Sequence, residues 1–185
     1  MNHLIESLHE DHRNLNKLLM LLETNLVALQ SDNDPNYPLM ADIIEYVYSY
    51  PDVFHHPRED LLYQRAMERD PSVSEEIAPM LQHHSELMKC THGLRDTLNA
   101  VLNDALVDKT HLRDEIRDFI DLQRAHILLE ESRIYPHIER LLTLDDINWL
   151  DGQQPPATDP LFGEHVEERF RQLYKHILEI SDIGK

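Results

Sequence analysis

The chain has 185 residues, 35 acidic and 17 basic, with a formal charge of −18 when its 13 histidines are neutral. Nucleic acid and anionic membrane are excluded as partners on that balance, because phosphate binding needs clustered Lys and Arg. Four glycines, six per cent aromatics and no valine-rich alternating run argue for an all-α protein, and a single cysteine, Cys90, excludes an intramolecular disulfide or a multi-thiolate cluster.

The first predicted segment runs from about Leu4 to Gln30, with an apolar stripe at Ile5, Leu8, Leu15, Leu19, Leu22, Leu26 and Leu29 in steps of three and four. His12 stands in that stripe where leucine is expected. The turn-prone SDNDPNYP ends it. A second segment, about Leu39 to Arg69, is interrupted near Pro51 and Pro57, and its stripe reads Ile44, Tyr48, His55, Glu59, Leu62, Ala66. DPSVSEE reads as a loop with Ser72 or Ser74 as N-cap. The third segment, about Glu75 to Ala105, carries Ile77, Met80, His84, Leu87, Thr91, Leu94 and Leu98; Cys90 lies beside Thr91 and reads as packing. The fourth starts after Asp108 or Thr110 and reaches about Leu142 through Leu112, Ile116, Phe119, Gln123, His126, Glu130 and Ile134, with Pro136 bending it. Short connections between long helices imply antiparallel neighbours, so residues 1–143 are expected to form an up-down-up-down antiparallel four-helix bundle. Residues 144–185 read as a Pro-containing connector, DGQQPPATDP, and a short amphipathic helix with Phe162, Val166, Phe170, Leu173, Ile177 and Ile180. That helix packs on the bundle or on a second subunit, which would make a homodimer. No basic leader precedes an apolar run and no stretch nears the ~18 apolar residues of a membrane span, so a cytoplasmic location is expected.

Four imidazoles and two carboxylates thus occupy positions that should be dry core, where unpaired ionisable groups cost several kcal/mol each. One such histidine alone is ordinarily a core residue satisfied by hydrogen bonds. Four interrupted stripes together, with His55/Glu59 and His126/Glu130 each four residues apart and so on one helix face, point instead to metal. An imidazole and carboxylate set without thiolate suits iron or manganese better than structural zinc, and two ions better than one. A weak internal repeat, LHEDHRNL with LQHHSEL and HHPRED with HILLEE, fits a duplicated helix pair.

The strings FHHPREDLLY and HILLEESRIYP resemble the signature segments of the hemerythrin-like, or HHE cation-binding, family. His12-x-x-Leu15 and His84-x-x-Leu87 are similar to that family's other two helices, and DPLFG after Trp149 resembles the extension of one bacterial subgroup. The resemblance implies a four-helix bundle around two non-heme, carboxylate-bridged iron ions, with manganese or zinc less expected. It implies His12 and His55 on one iron, His84 and His126 on the other, and Glu59 and Glu130 bridging. Where oxygen-carrying members have a further histidine, four residues before the one matching His84, this chain has Met80. His56 either fills that place or lies outside the coordination sphere. Oxygen carriers also space their second carboxylate to match Glu131, whereas the apolar stripe selects Glu130. Tyr48, Tyr63 and Tyr135 could line the site.

The expected function is binding of a small diatomic ligand, dioxygen or nitric oxide, for sensing, scavenging or storage. One alternative is a di-iron enzyme of iron–sulfur cluster repair or of peroxide or nitric oxide detoxification. The other is a helical interaction module in which the metal is structural.

Overall fold

Helix α1 (His3–Gln30) is followed by α2 (Tyr37–Ser49), α3 (His56–Arg69), α4 (Ser74–Leu102), α5 (Lys109–Leu129), α6 (Tyr135–Leu141), α7 (Leu144–Asp151) and α8 (Arg171–Ile183). This computed structural model describes residues 3–31, 33–153 and 158–183, and among them there is no strand. Among the described residues no helix is long and apolar enough to cross a membrane.

Two joints replace what the sequence read as simple interruptions. A π-helical turn, Pro51–His55, links α2 to α3, and a second, Glu130–Ile134, links α5 to α6. Each is followed by an X–Pro step, His56–Pro57 and Tyr135–Pro136. Proline lacks an N–H and its ring clashes with the carbonyl four residues back, so the ladder widens: the His56 amide donates to Pro51 O and the Tyr135 amide to Glu130 O, five residues back.

Other ends follow local chemistry. Asn36 caps α2 by accepting from the Leu39 amide, and Asp108 accepts from Thr110 ahead of α5. Neither Ser72 nor Ser74 caps α4. Asp70 instead accepts from the Ser72 amide and closes a 3₁₀ turn, Pro71–Val73, that leads into the helix. Helix α4 stops at Leu102 rather than Ala105, because Asp104 takes a left-handed conformation with φ 58°.

The buried apolar residues form two clusters. One holds Leu15 to Leu22 of α1, most of α2, Leu94 and Leu98 of α4, and Leu112 to Ile127 of α5. The other holds Leu4, Ile5 and Leu8 of α1, Leu62 to Ala66 of α3, Ile77 and Met80 of α4, and Ile134 to Ile138. Between the clusters, in each helical run, stand the histidines and glutamates: His12 after Leu8, His55 to Glu59 before Leu62, His84 after Met80, and His126 to Glu130 before Ile134.

Helix α7 lies where only a connector was expected. Thr143 and Asp146 cap each other's backbone amides, Ile147 and Leu150 join the second cluster, and buried Asp146 accepts from Arg65 Nε at 2.7 Å and Arg69 Nη2 at 2.8 Å. The tail helix also starts later than its hydropathy suggested, at Arg171 rather than near Phe162. The Asp159 carboxylate accepts from the Leu161 and Phe162 amides, both at 2.8 Å, and the Gly163 amide donates to Asp159 O, so DPLFG is a closed turn. A Cβ on Gly163 would sit 2.4 Å from Asp159 O, so only glycine fits there. Leu161, Phe170, Leu173 and Ile177 are buried in the first cluster, and Asp159 accepts from the Tyr46 hydroxyl at 2.9 Å. Residues 154–157 of the connector and the Ile180 side chain lie outside the described residues.

Candidate metal centre

The π turn explains how His55 and His56, adjacent in sequence, both face inward. On a regular helix neighbours point about 100° apart, but the extra residue in the widened turn rotates the chain, and the two rings are 4% and 2% exposed. Glu59 follows one turn on, wholly buried. Helix α1 adds His12, α4 adds His84 and α5 adds His126, with Glu130 opening the second π turn.

The inward Nε2 atoms and the two carboxylates form one connected set. His12 Nε2 is 3.2 Å from Glu130 Oε2 and 3.8 Å from Glu59 Oε1, and His55 Nε2 is 3.4 Å from Glu59 Oε2 and 3.2 Å from His12 Nε2. On the other side His84 Nε2 is 3.3 Å from Glu59 Oε2 and 3.5 Å from Glu130 Oε1, and His126 Nε2 is 3.1 Å from Glu130 Oε1. His56 stacks on His84 with ring centroids 4.6 Å apart and meets His126 edge-on at 5.8 Å. Two donor groups, His12/His55/Glu59 and His56/Glu59/His84/His126, each bring one ligand atom per residue within 4.8 Å of the others. Donors bound at about 2.0–2.2 Å to one ion stand roughly 3 Å apart, close to the 3.2–3.8 Å that separate the His12, His55 and Glu59 donors.

Outer carboxylates orient most of the rings. Asp11 Oδ2 accepts from His55 Nδ1 at 3.0 Å, Glu131 Oε1 from His12 Nδ1 at 3.2 Å, and Asp60 Oδ1 from His84 Nδ1 at 2.6 Å. Each contact keeps the proton on Nδ1 and leaves Nε2 free as a donor atom. Asp52 Oδ1 lies 3.2 Å from His56 Nδ1, but the pair is misaligned for a hydrogen bond. The phenol of Tyr135 donates to Glu59 Oε1 and that of Tyr63 to Glu130 Oε1, which fixes both carboxylates.

Burial opposes charge on His55, His84, His12, Glu59 and Glu130, and specific partners override it. For His55, burial lowers the pKa, but the Glu59 charge and the Asp11 contact push it up to about 10. For His84, burial is outweighed by Asp60, Glu130 and Glu59, which push it up to about 12. His12 is raised in the same way by Glu130 and Glu131. His56 goes the other way, lowered by burial and by the neighbouring His84 and His55 charges despite Asp52. Burial and mutual repulsion would raise Glu59, yet His55 and His84 hold it well below the ordinary carboxylate range; burial likewise fails to raise Glu130 against His126, His12 and His84. Tyr63 and Tyr135, raised by burial and then by the two glutamates, stay protonated donors.

Even so, Glu59 Oε2, Glu130 Oε2, His84 Nε2 and His126 Nε2 are buried without a hydrogen-bond partner among the described residues. Four polar atoms left this way at one place are what a bound cation would satisfy. The nitrogen and oxygen donor set fits a first-row transition metal.

The structure therefore brings together His12, His55, His56, Glu59, His84, His126 and Glu130, while Met80 lies in the second apolar cluster. Tyr48 does not line this set: it packs on His92 and under Arg95. His137 binds Glu76 at 2.9 Å, and the Cys90 thiol, raised by burial and then by Asp118 and Glu115, packs on the first cluster. The carboxylates Asp11, Asp52 and Asp60, each beside one imidazole, escaped the periodicity reading because they lie off the stripes. Their only sequence signal is position, Asp11 next to His12, Asp60 next to Glu59, and Asp52 four residues before His56.

Comparison with protein families matches residues 3–138 to the model described as hemerythrin HHE cation binding domain. No curated protein and no solved structure matched the chain.

Proposed function

Because the chain belongs to the hemerythrin HHE cation-binding family, we propose that its buried cluster holds two iron ions that bind a small diatomic ligand, dioxygen or nitric oxide. The observation that carries this reading is the set of unpartnered buried atoms on Glu59, Glu130, His84 and His126, between two carboxylates that each reach imidazoles on both sides. In this reading residues 1–143 form an up-down-up-down bundle. The alternation supports it: α1 and α4 begin in the second apolar cluster and end in the first, while the α2–α3 and α5–α6 runs go the opposite way.

His12 and His55 would hold one ion, His56, His84 and His126 the other, and Glu59 and Glu130 would span the pair. His56 would then take the place that Met80 leaves without an imidazole, and the His12/His55 group would offer fewer protein donors than the His56/His84/His126 group. Bound iron would supply reversible coordination of the diatomic ligand and one-electron redox chemistry. The chain's own part is positional. Asp11, Glu131 and Asp60 hold three imidazoles in the tautomer that presents Nε2. Tyr135 and Tyr63 stop the carboxylates from rotating. The two apolar clusters, above and below, exclude water from the layer between them.

Metal analysis of protein purified without chelators, paired with an optical spectrum for bridged ferric ions, tests this. About two irons per chain, with bridge absorption, are expected. One zinc per chain would overturn the reading.

A further inference from the structure

A buried dimetal site needs a route by which ions reach it, and one point on the bundle wall carries metal-binding side chains of its own. Glu131 Oε1 lies 3.2 Å from His12 Nδ1 and also 3.2 Å from His9 Nδ1. Together these three residues bring one donor atom each within 4.8 Å of one another. Exposure falls steeply across them: the side chains of Glu131 and His9 are 39% and 28% exposed, that of His12 1%.

We propose that His9, Glu131 and the outward nitrogen of His12 form a capture site through which a divalent first-row transition-metal cation loads the buried centre, an inference that rests on the two-ion reading above.

Three features support it. First, His12 belongs to both places. Its Nδ1 faces Glu131 while its Nε2, across the same ring, lies 3.2 Å from Glu130 in the interior. An ion held outside displaces the Nδ1 proton to solvent and is then one imidazole ring from the buried donors. Second, Glu131 differs from the other carboxylates that face the imidazoles. Among the described residues Asp11, Asp52 and Asp60 each face one imidazole, whereas Glu131 faces two, one of them open to solvent. Third, His9 is held in place: its ring meets Tyr135 edge-on at 5.2 Å, and His12 stacks on the same Tyr135 at 5.6 Å.

Two imidazoles and one carboxylate match the preference of such cations. Three protein donors leave the remaining positions to water, so the ion is held weakly and exchanges fast, as loading requires and storage does not. Once the buried centre engages His12 Nε2, holding an ion on Nδ1 as well would need the imidazolate, so Nδ1 takes a proton back from solvent, donates it to Glu131 again, and the outer ion is released.

The test is the rate at which metal-free protein takes up Co²⁺ or, without oxygen, Fe²⁺, followed by stopped flow in wild type, His9→Ala and His9→Asp. His9→Ala should slow uptake by about tenfold, the scale on which outer partners of metal sites act, while the final stoichiometry stays that of wild type. His9→Asp, which returns a donor, should recover most of the rate. Wild-type loading with His9→Ala equally fast overturns the capture site and leaves the buried centre standing. A lowered final stoichiometry in His9→Ala also overturns it, by making His9 a ligand of the buried centre. Wild type that takes up no metal overturns the two-ion reading and the capture site together.

Discussion

The metal-free protein offers a way to separate two neighbouring histidines that stack on each other. His84 is raised to about 12 and so carries a proton at neutral pH, balancing Glu59 and Glu130 at 3.3 and 3.5 Å. His56 is lowered by burial and is neutral there. Replacing His84 with Gln removes a positive charge from between two wholly buried carboxylates, and breaking a buried pair in this way costs about 3–5 kcal/mol. Replacing His56 with Gln removes no charge and no aligned hydrogen bond, leaving a change in buried volume and polarity worth about 1 kcal/mol. At roughly 2–4 °C per kcal/mol for a chain of this size, His84→Gln should lower the melting temperature of chelator-treated protein by about 6–20 °C, and His56→Gln by about 2–4 °C. Circular dichroism melts at pH 7 measure both. If the cluster holds two ions with His56 as a donor to one, His56→Gln should also lower the affinity for one of the two ions on metal loading. Equal shifts for the two metal-free variants would refute the assignment of charge within the cluster.

Metal binding should release protons and strengthen with rising pH. His55 and His84, raised to about 10 and 12 in the metal-free state, must give up their protons to become donors; calorimetry in buffers of different ionisation enthalpy would show the release, and pH-independent affinity between 6 and 9 would contradict it. The same raised values mean that the metal-free ion pairs stabilise the fold fully below about pH 6.5 and lose that contribution only as pH rises through about 10, so removing His55's partner with Asp11→Asn should matter at pH 7 and fade at higher pH. Asp146, held below the ordinary carboxylate range against burial by Arg69, Thr143 and Arg65, contributes stability that is present above about pH 4 and lost as pH falls through its depressed value. Asp146→Asn should lower stability by about 2 kcal/mol in urea titrations at pH 7, with the gap to wild type closing in acid. Gly163→Ala should destabilise by more than about 1 kcal/mol, because its Cβ meets the Asp159 carbonyl, and hydrogen exchange should rise first in α8, whose Leu173 and Ile177 share the first cluster with Leu161 of that turn.

The helical class and the inward-facing residues were legible because an α-helix repeats every 3.6 residues and a buried face tolerates few polar side chains. His12, His84 and His126 interrupt stripes of leucine and isoleucine, and each is buried where the stripe said it would be. The same stripe selects Glu130 over Glu131: Glu130 is wholly buried among the imidazoles, and Glu131 stands on the wall, accepting from His9 and His12. Periodicity fails where the backbone changes pitch. The two π turns rotate the faces after them, so nothing in the regular stripe said whether His56 faced in or out. It fails again in the tail, where Phe162 and Val166 matched a helical spacing but Asp159 and Gly163 close a turn first.

The sequence by itself determined an all-helical chain with ionisable groups at core positions, and hence that something must compensate their burial, because dehydrating six such groups unpaired exceeds what a fold of marginal stability can bear. Only the tertiary structure decided the rest. It brought His12 to His55 and His84 to His126, with ring centroids 5.0 and 4.9 Å apart, put His56 in their company, gave Asp11, Asp60 and Glu131 to particular imidazole nitrogens, and tied Tyr135 and Tyr63 to the two carboxylates. Those pairings join different helices, and spacing along one helix carries no information about the rotation and depth of another.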